Sequence, residues 1–341
     1  MSNSDDFNTN LPSMHHKRHG CAAAAIGSQI FVAGGRNDLT IEIFDTLRKE
    51  WIMTNSIIMN TRECCAAVSL GDKFTVIGGS SIDAEDFPDF LSSMVEYDTI
   101  LQQWSPLPSM NNRRMGCAAG VVDGKIFVAG GFDGFHCSSS AEEYDPATQR
   151  WTDMPPMHFQ RFGCAAAVLD EKFYVFGGCN DEGIDHPSAE VYDPASNQWS
   201  MISSMKAARQ FCAAVPIEGK IIVMGGGDFG DELVLSTYEI YDPTNDQWSS
   251  FTSEHNERWG CAAVEIRGTI YLVGGHDRVN PLNTIKSLRF MAVLLDKQPG
   301  VARDMGIDDN AMPSFISYLG HYCKFTTMWE IMRNRQDLFS W

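Results

Sequence analysis

Residues 161–178, RFGCAAAVLDEKFYVFGG, followed by AEVYDPASNQW at 189–199, decide the fold, because their main features recur along the 341-residue chain. Each copy of the first stretch ends in a glycine doublet, at Gly34-Gly35, Gly78-Gly79, Gly130-Gly131, Gly177-Gly178, Gly225-Gly226 and Gly274-Gly275. Sixteen residues before each doublet is an arginine: Arg18, Arg62, Arg114, Arg161, Arg209 and Arg258. Thirteen residues before it is a Cys-Ala pair, at Cys21, Cys65, Cys117, Cys164, Cys212 and Cys261. The chain is therefore a repeat with a period of roughly 50 residues.

Each copy reads as four short strands. Residues 163–169 are small and apolar, and residues 172–178 are β-branched and aromatic, which is typical of strands. An aromatic residue on a third strand and a tryptophan on a fourth follow, at Phe44 and Trp51, Tyr97 and Trp104, Tyr144 and Trp151, Tyr192 and Trp199, and Tyr241 and Trp248. Asp-Gly and Asp-Pro pairs mark the turns. Only the connection between the second and third strands varies in length.

Packing explains why side-chain size increases along each copy. A four-stranded sheet cannot bury both faces alone, so several sheets must pack face to face around an axis. Such sheets diverge outward, which suits Gly, Cys and Ala in the first strand, Tyr in the third and Trp in the fourth. Over residues 8–296 the doublet, the tyrosine, the tryptophan and the period resemble kelch repeats. The resemblance implies an all-β, six-bladed β-propeller with four antiparallel strands per blade and a short non-repeat C-terminal tail.

The repeat also predicts the division of the chain. Residues 18–296 hold the six repeats, and residues 297–341 form a C-terminal tail whose apolar residues have roughly helical spacing. This tail is interpreted as a docked helix or partly disordered, with a partner-binding helix as the alternative. The sixth repeat lacks its tryptophan. We therefore expect the N-terminal segment, residues 1–17, to supply the outer strand of the last blade from residues near 5–12.

The six repeat arginines are the first candidate for function. If each lies just before an inner strand, six guanidinium groups surround one mouth of the central channel and attract an anion or an acidic peptide. In the resembling family, arginines at this position bind acidic peptides in the propeller of an oxidative-stress sensor among the kelch-type ubiquitin-ligase adaptors, and Arg36 matches a further binding arginine. The alternative is structural: an arginine in every blade would bond loop carbonyls or a neighbouring carboxylate.

The variable connections supply the second set of candidates. In residues 36–41, 80–94, 132–140, 179–189, 227–237 and 276–287 there are 13 Asp and Glu but only 3 Lys and Arg, so this rim is acidic. It also carries large anchors of the kind that dominate interface energies, namely Phe87, Phe90, Phe132, Phe135 and Phe229. We expect a protein or peptide partner with an acidic tip for the arginines and basic or apolar flanks for the rim.

Composition excludes several classes of protein. The formal net charge of −18 is unfavourable for nucleic-acid binding, and the apolar runs are too short to span a membrane. The N-terminus has no secretory signal, so we expect a cytoplasmic location, with the nucleus also compatible, and reduced thiols. The repeat cysteines are interpreted as small core residues. Neither a metal nor a cofactor is expected, because the His and Cys clusters lack the paired spacing of zinc sites.

The sequence therefore predicts a non-catalytic protein-interaction module, such as a substrate-recognition or scaffold subunit, that uses the arginine-lined face. An actin-associated cytoskeletal protein is one alternative. A small-molecule enzyme or specifier-type protein at the channel mouth is another, although no catalytic set of residues stands out.

Overall fold

A computed structural model describes residues 7–8, 10–36, 38–58, 60–82, 88–228, 233–253 and 257–289. The chain divides into a compact unit of residues 1–287 and a second unit of residues 288–341, of which only Leu288 and Arg289 are described. The predicted tail, residues 297–341, therefore lies outside the described residues. In its described ranges the structure contains no apolar helix of the length that a bilayer requires.

The described residues form a six-bladed β-propeller with four antiparallel strands per blade, as the sequence predicts. Blade 1 contains Cys21–Ile26, Gln29–Gly34, Thr40–Asp45 and Glu50–Ile57, and blade 2 contains Ala66–Leu70, Lys73–Ile77, Met94–Asp98 and Gln103–Leu107. Blade 3 contains Ala118–Val122, Lys125–Ala129, Ala141–Asp145 and Arg150–Met154, and blade 4 contains Ala165–Leu169, Lys172–Phe176, Ala189–Asp193 and Gln198–Ile202. Blade 5 contains Ala213–Ile217, Lys220–Met224, Thr237–Asp242 and Gln247–Thr252, and blade 6 contains Ala262–Ile266, Thr269–Val273, Ile285–Arg289 and Phe7–Asn8.

Two small ribbons extend the connections between the second and third strands. Ser80–Ile82 pairs with Pro88–Phe90 in blade 2, and Gly227–Asp228 pairs with Leu233–Val234 in blade 5. These connections lie at the same end of each blade as the start of the first strand, because neighbouring strands are antiparallel. That end of the propeller is called the mouth surface below, and the end with the turns between third and fourth strands is called the opposite surface.

The core lies between neighbouring blades. In the second strand of blade 4, the four residues after Lys172 are all buried, so this strand packs on both faces. Phe127 of blade 3 contacts Phe173 and Tyr192 of blade 4, with ring centroids 5.9 and 5.7 Å apart. Aromatic side chains thus fill the space between these two neighbouring sheets.

Hydrogen bonds close the ring at its centre. First strands of adjacent blades contact each other around the circle, and Cys21–Ile26 contacts both Ala66–Leu70 and Ala262–Ile266. At the mouth end of these strands one backbone N–H per blade donates to the carbonyl of its counterpart in the adjacent blade, over 2.7–2.9 Å. The residues in this hub ring are Gly20, Cys64, Gly116, Gly163, Phe211 and Gly260. All have positive φ, which four of the six blades meet with glycine.

Candidate protein-binding surface at the channel mouth

The six repeat arginines lie inside the blades. Each is at most 2% exposed. In every blade one Nη1–H donates to the carbonyl of the first glycine of the doublet, over 2.6–2.9 Å. The arginine therefore ties the connection from the previous blade to the end of the second strand. The expectation of six guanidinium groups exposed around the mouth is wrong in this respect, because each group is enclosed by its own blade.

Four of these arginines pair with buried glutamates. Arg18, Arg114, Arg161 and Arg209 each donate from Nε and Nη2 to one glutamate oxygen, over 2.8–3.3 Å. The glutamates, Glu42, Glu142, Glu190 and Glu239, are fully buried on the third strand of the same blade. Removal of either partner of such a buried ion pair would leave an uncompensated charge in the blade, which is strongly destabilising. The structure thus contains the contacts of the structural alternative, in which the arginine bonds carbonyls and a neighbouring carboxylate.

Residues next to the arginines and the doublets form the inner part of the mouth surface. The residue after the arginine pairs with the residue after the doublet in short antiparallel bridges, such as Met115 with Phe132 and Trp259 with His276. These bridges lie immediately before the hub ring. The repeat thus buries its charged residue and turns the next side chain, which varies from blade to blade, toward the mouth.

An aromatic arc follows these positions around the mouth. Adjacent ring centroids are 5.2–5.8 Å apart along the series Phe90, Phe132, Phe162, Phe211, Trp259 and His276. His19 contacts both Trp259 and His276 at 5.6 and 5.5 Å and extends the series toward blade 1. All seven side chains are half-buried. A continuous, partly exposed aromatic surface thus crosses blades 2 to 6 and reaches the edge of blade 1.

Three apolar side chains project further out, from the connections between second and third strands. Phe135 is 84% exposed, Ile184 58% and Val279 78%. Each follows a turn in which an Asp or Asn oxygen accepts backbone N–H groups ahead of it, from Asp133, Asn180 and Asp277. Such turns fix the backbone without any contact from the projecting side chain. The exposed tips are therefore held in place while remaining available to a partner.

The rim around these tips is acidic. Backbone N–H groups lower the pKa of Asp133, Asp181 and Asp277, with the N–H of His136, Cys137 and Asn280 as the largest respective cause. These carboxylates are therefore ionised at neutral pH. The basic groups of the rim partly pair with acids: Arg113 with Asp89 at 3.0 Å, His136 with Asp181 at 3.3 Å and Arg278 with Glu257 at 3.5 Å.

The central channel beneath the mouth is narrow and lined by thiols. Its cavity of about 80 Å³ is lined by the hub-ring residues and by the six repeat cysteines. Burial raises the pKa of Cys21, Cys117 and Cys212 to about 12 and that of Cys65, Cys164 and Cys261 to about 11. The thiols are thus protonated and poorly nucleophilic. Within the described ranges, no group of three or more His, Cys, Asp or Glu side chains could hold a metal ion.

The other predicted contact residues divide between the surface, the arc and the undescribed segments. Arg36 is exposed, Phe90 and Phe132 belong to the arc, and Phe135 is the most exposed tip. Phe87 and Phe229 lie outside the described residues. Sequence reasoning missed Phe162, Phe211, Trp259, Ile184 and Val279. A search of the positions one and two residues after each arginine would have found the first three.

Comparisons with known proteins agree with this architecture. Residues 17–56 and 113–158 match a Kelch motif model, residues 61–111 match a second Kelch motif model, and residues 156–275 match the KLHDC2/KLHL20/DRC7 Kelch-repeats domain. The chain is 30% identical over 105 residues to the Kelch-like ECH-associated protein 1A of Danio rerio, a match covering 30% of this chain and 17% of that protein.

Two further proteins are similar to this chain, one in sequence and one in structure. Alpha-scruin of Limulus polyphemus is 28% identical over 129 residues, which is 36% of this chain and 14% of that protein. The solved structure of YjhT superposes with a TM-score of 0.74 at 15% identity, covering 82% of this chain and 96% of that chain. The sequence matches thus span less than a quarter of the Danio rerio protein and of alpha-scruin. Together with the six repeats and the closed ring of blades, they show that the chain belongs to the kelch-repeat β-propeller family.

Proposed function

We propose that this propeller is a non-catalytic protein-interaction module that binds its partner at the mouth surface. The observation that carries the proposal is that the aromatic arc and the three exposed tips, Phe135, Ile184 and Val279, lie at the same end of the propeller. Large apolar side chains that are exposed together on one surface favour protein contact, since aromatic anchors supply most of the energy of an interface. The matched segments are only 17% and 14% of two curated relatives, so these relatives are much longer proteins, which suits a recognition or scaffold role.

The partner is an apolar segment with basic flanks. Apolar residues fit the arc and the tips, and basic residues complement the excess of acid in the rim. The acidic tip expected from the sequence depended on exposed guanidinium groups, and those groups are buried against glutamates and carbonyls. Arg36 remains as one exposed cation of the mouth surface. Nucleic acid and membrane are not proposed as partners.

The dimensions of the hub favour binding over small-molecule chemistry. Pockets for small ligands usually have volumes of roughly 300–1,000 Å³, whereas the hub cavity measures about 80 Å³. Its walls are backbone and thiols with raised pKa, which supply neither a base nor a nucleophile at neutral pH. The exposed aromatic arc and tips around the mouth suit a protein better than a metabolite.

Proximity labelling in cells and pull-down with purified protein test the proposal. The variant Phe135→Ser, Ile184→Ser, Val279→Ser removes the three tips and should lower capture of specific partners at least about tenfold, because anchors of this kind contribute roughly 2 kcal/mol each. Its matched control is Leu47→Ser, Ile100→Ser, Leu101→Ser, which removes three equally exposed apolar residues from the opposite surface.

The control should keep the partners of the wild type. Loss of partners in the control but not in the tip variant would move the binding site to the opposite surface, and retention in both would refute the apolar anchors. Imaging of the wild type and the same variants in cells tests the proposed cytoplasmic location. A signal confined to a secretory compartment would contradict it.

A further inference from the structure

The buried glutamate of the repeat is present in four blades and replaced in blade 2. Glu42, Glu142, Glu190 and Glu239 occupy one register position, each opposite a valine of the second strand. In blade 2 the same position, opposite Val76, is Val95. Val95 is buried and has no polar side-chain atom. Blade 2 therefore keeps the arginine of the repeat but not its counter-ion.

Blade 3 shows what the carboxylate accepts. Glu142 Oε1 accepts Nε–H and Nη2–H of Arg114, over 3.1 and 2.8 Å. Its two oxygens also accept the backbone N–H groups of Asn111 and Asn112, over 2.7 and 3.3 Å. The same four donations occur in blades 1, 4 and 5. In these four blades the carboxylate is thus held by one guanidinium group and two backbone donors.

Arg62 of blade 2 lies in the same place as the other arginines. Its Nη1 donates to the carbonyls of Gly78 and Ser93 over 2.8 and 2.9 Å, and its Nη2 donates to Ser93 Oγ over 2.7 Å. Its Nε has no hydrogen-bond partner among the described residues, although the side chain is only 1% exposed. Burial lowers the pKa of this guanidinium group. A buried cation without a counter-charge is strongly unfavourable.

We infer that the carboxylate position of blade 2, beside Arg62 Nε and above Val95, binds a small anion of the size of chloride or acetate. Valine ends at its γ carbons, so Val95 places no atom where the carboxylate group lies in the other blades. The position is also close to solvent. In blades 1 and 4 the glutamate oxygen contacts a histidine side chain, His15 or His158, that is half exposed. The carboxylate position of blades 1 and 4 is thus one side chain away from solvent, and we expect the same depth in blade 2.

Blade 6 repeats the feature in its sequence. The residue two positions before its aromatic Phe290 is Leu288 rather than glutamate, and Arg258 Nε has no partner among the described residues. Burial lowers the pKa of Arg258, and Cys261 and Asp277 raise it to a smaller extent. In both blades an apolar residue in place of the glutamate thus accompanies an arginine Nε without a partner among the described residues.

Chloride-35 NMR of the full chain tests the inference, because bound chloride broadens the resonance of the free ion. The wild type should broaden it, and Val95→Glu, which supplies the missing carboxylate, should reduce the excess width at least about twofold. Thr152→Glu adds the same charge at an exposed position of blade 3 and should leave the width unchanged. Equal widths for the wild type and Val95→Glu would overturn the inference.

A second pair of variants keeps the test informative if Val95→Glu does not fold. Glu142→Val converts blade 3 into the pattern of blade 2 and should increase the excess width, whereas Arg62→Met should decrease it about twofold. No change in either variant would refute the site. Competition by acetate at constant chloride separates the ligands: narrowing shows that carboxylates also bind, and an unchanged width restricts the site to chloride-sized ions.

Discussion

Blades 2 and 3 are neighbours with the same repeat residues, but their buried polar groups have different partners. In blade 3, Arg114 pairs with Glu142, and Trp151 Nε1 donates to the carbonyl of Pro108 over 2.8 Å. In blade 2, Val95 replaces the glutamate, and Trp104 Nε1 is unpaired within the described part of the chain. The residues that identify a repeat therefore set its geometry, while less obvious residues decide how completely its polar atoms are satisfied.

The path of the chain into blade 2 explains part of this difference. The outer strand of blade 1, Glu50–Ile57, is eight residues long, and its pairing shifts register between Thr40 and Glu42. Ser56 stands six residues before Arg62, as Pro108 stands six before Arg114, but it remains in this strand and donates from Oγ to the carbonyl of Gln102. The connection into blade 2 is thus held by the hydroxyl of Ser56, whereas the connection into blade 3 is held by the indole of Trp151.

The largest predicted effect breaks the ion pair of blade 3. Arg114→Met leaves Glu142 buried without its cation, so we expect a loss of about 3–5 kcal/mol in the free energy of unfolding. Arg62→Met removes a cation that has no buried counter-ion, and it should be milder by at least about 2 kcal/mol. Urea denaturation in low-chloride buffer, followed by circular dichroism, measures the free energy of unfolding of both variants. Equal losses would mean that the glutamate contributes nothing to the difference between the blades.

The next comparison concerns the hub ring. Gly116 has a φ of 63°, and a Cβ there would lie 2.7 Å from the ring of Phe162, so Gly116→Ala should destabilise the protein by about 2 kcal/mol or more. Blade 2 already holds a side chain at this position, Cys64, with a φ of 52°. Cys64→Ala should therefore change the midpoint of thermal unfolding much less. A similar decrease for both alanines would show that lost packing, not backbone geometry, controls the hub.

Much of the fold could be predicted because spacing in sequence reports the order of strands. The arginines, doublets and aromatic residues recur at fixed offsets, and the structure places each at an equivalent point of its blade. Spacing in sequence does not indicate how deeply a side chain is buried. Arg161 is fully buried because Glu190 is close to it in the folded blade, although 29 residues separate the two in sequence.

The mouth surface was harder to predict for a related reason. Phe162 and Trp259 occupy one position of the repeat, but the other blades place His19, Glu63, Met115 and Gln210 there, so no residue type recurs. A search for repeated residues therefore finds the scaffold and overlooks the variable positions beside it. Phe135 was found because a phenylalanine in a polar connection is unusual in itself, whereas Ile184 and Val279 are less conspicuous.

The smallest predicted effect isolates one hydrogen bond at the outside of the two blades. Trp151→Phe removes the donor to the carbonyl of Pro108 and should lower the free energy of unfolding by about 1 kcal/mol more than Trp104→Phe does. Both substitutions remove the same atoms from half-buried indoles that pack on a tyrosine of their own blade, at 5.2 Å in each case. Loss of packing therefore cancels in the difference between the two urea midpoints, provided that the slopes stay equal. A larger loss for Trp104→Phe would show that packing of the indole, rather than its hydrogen bond, fixes the connection between blades.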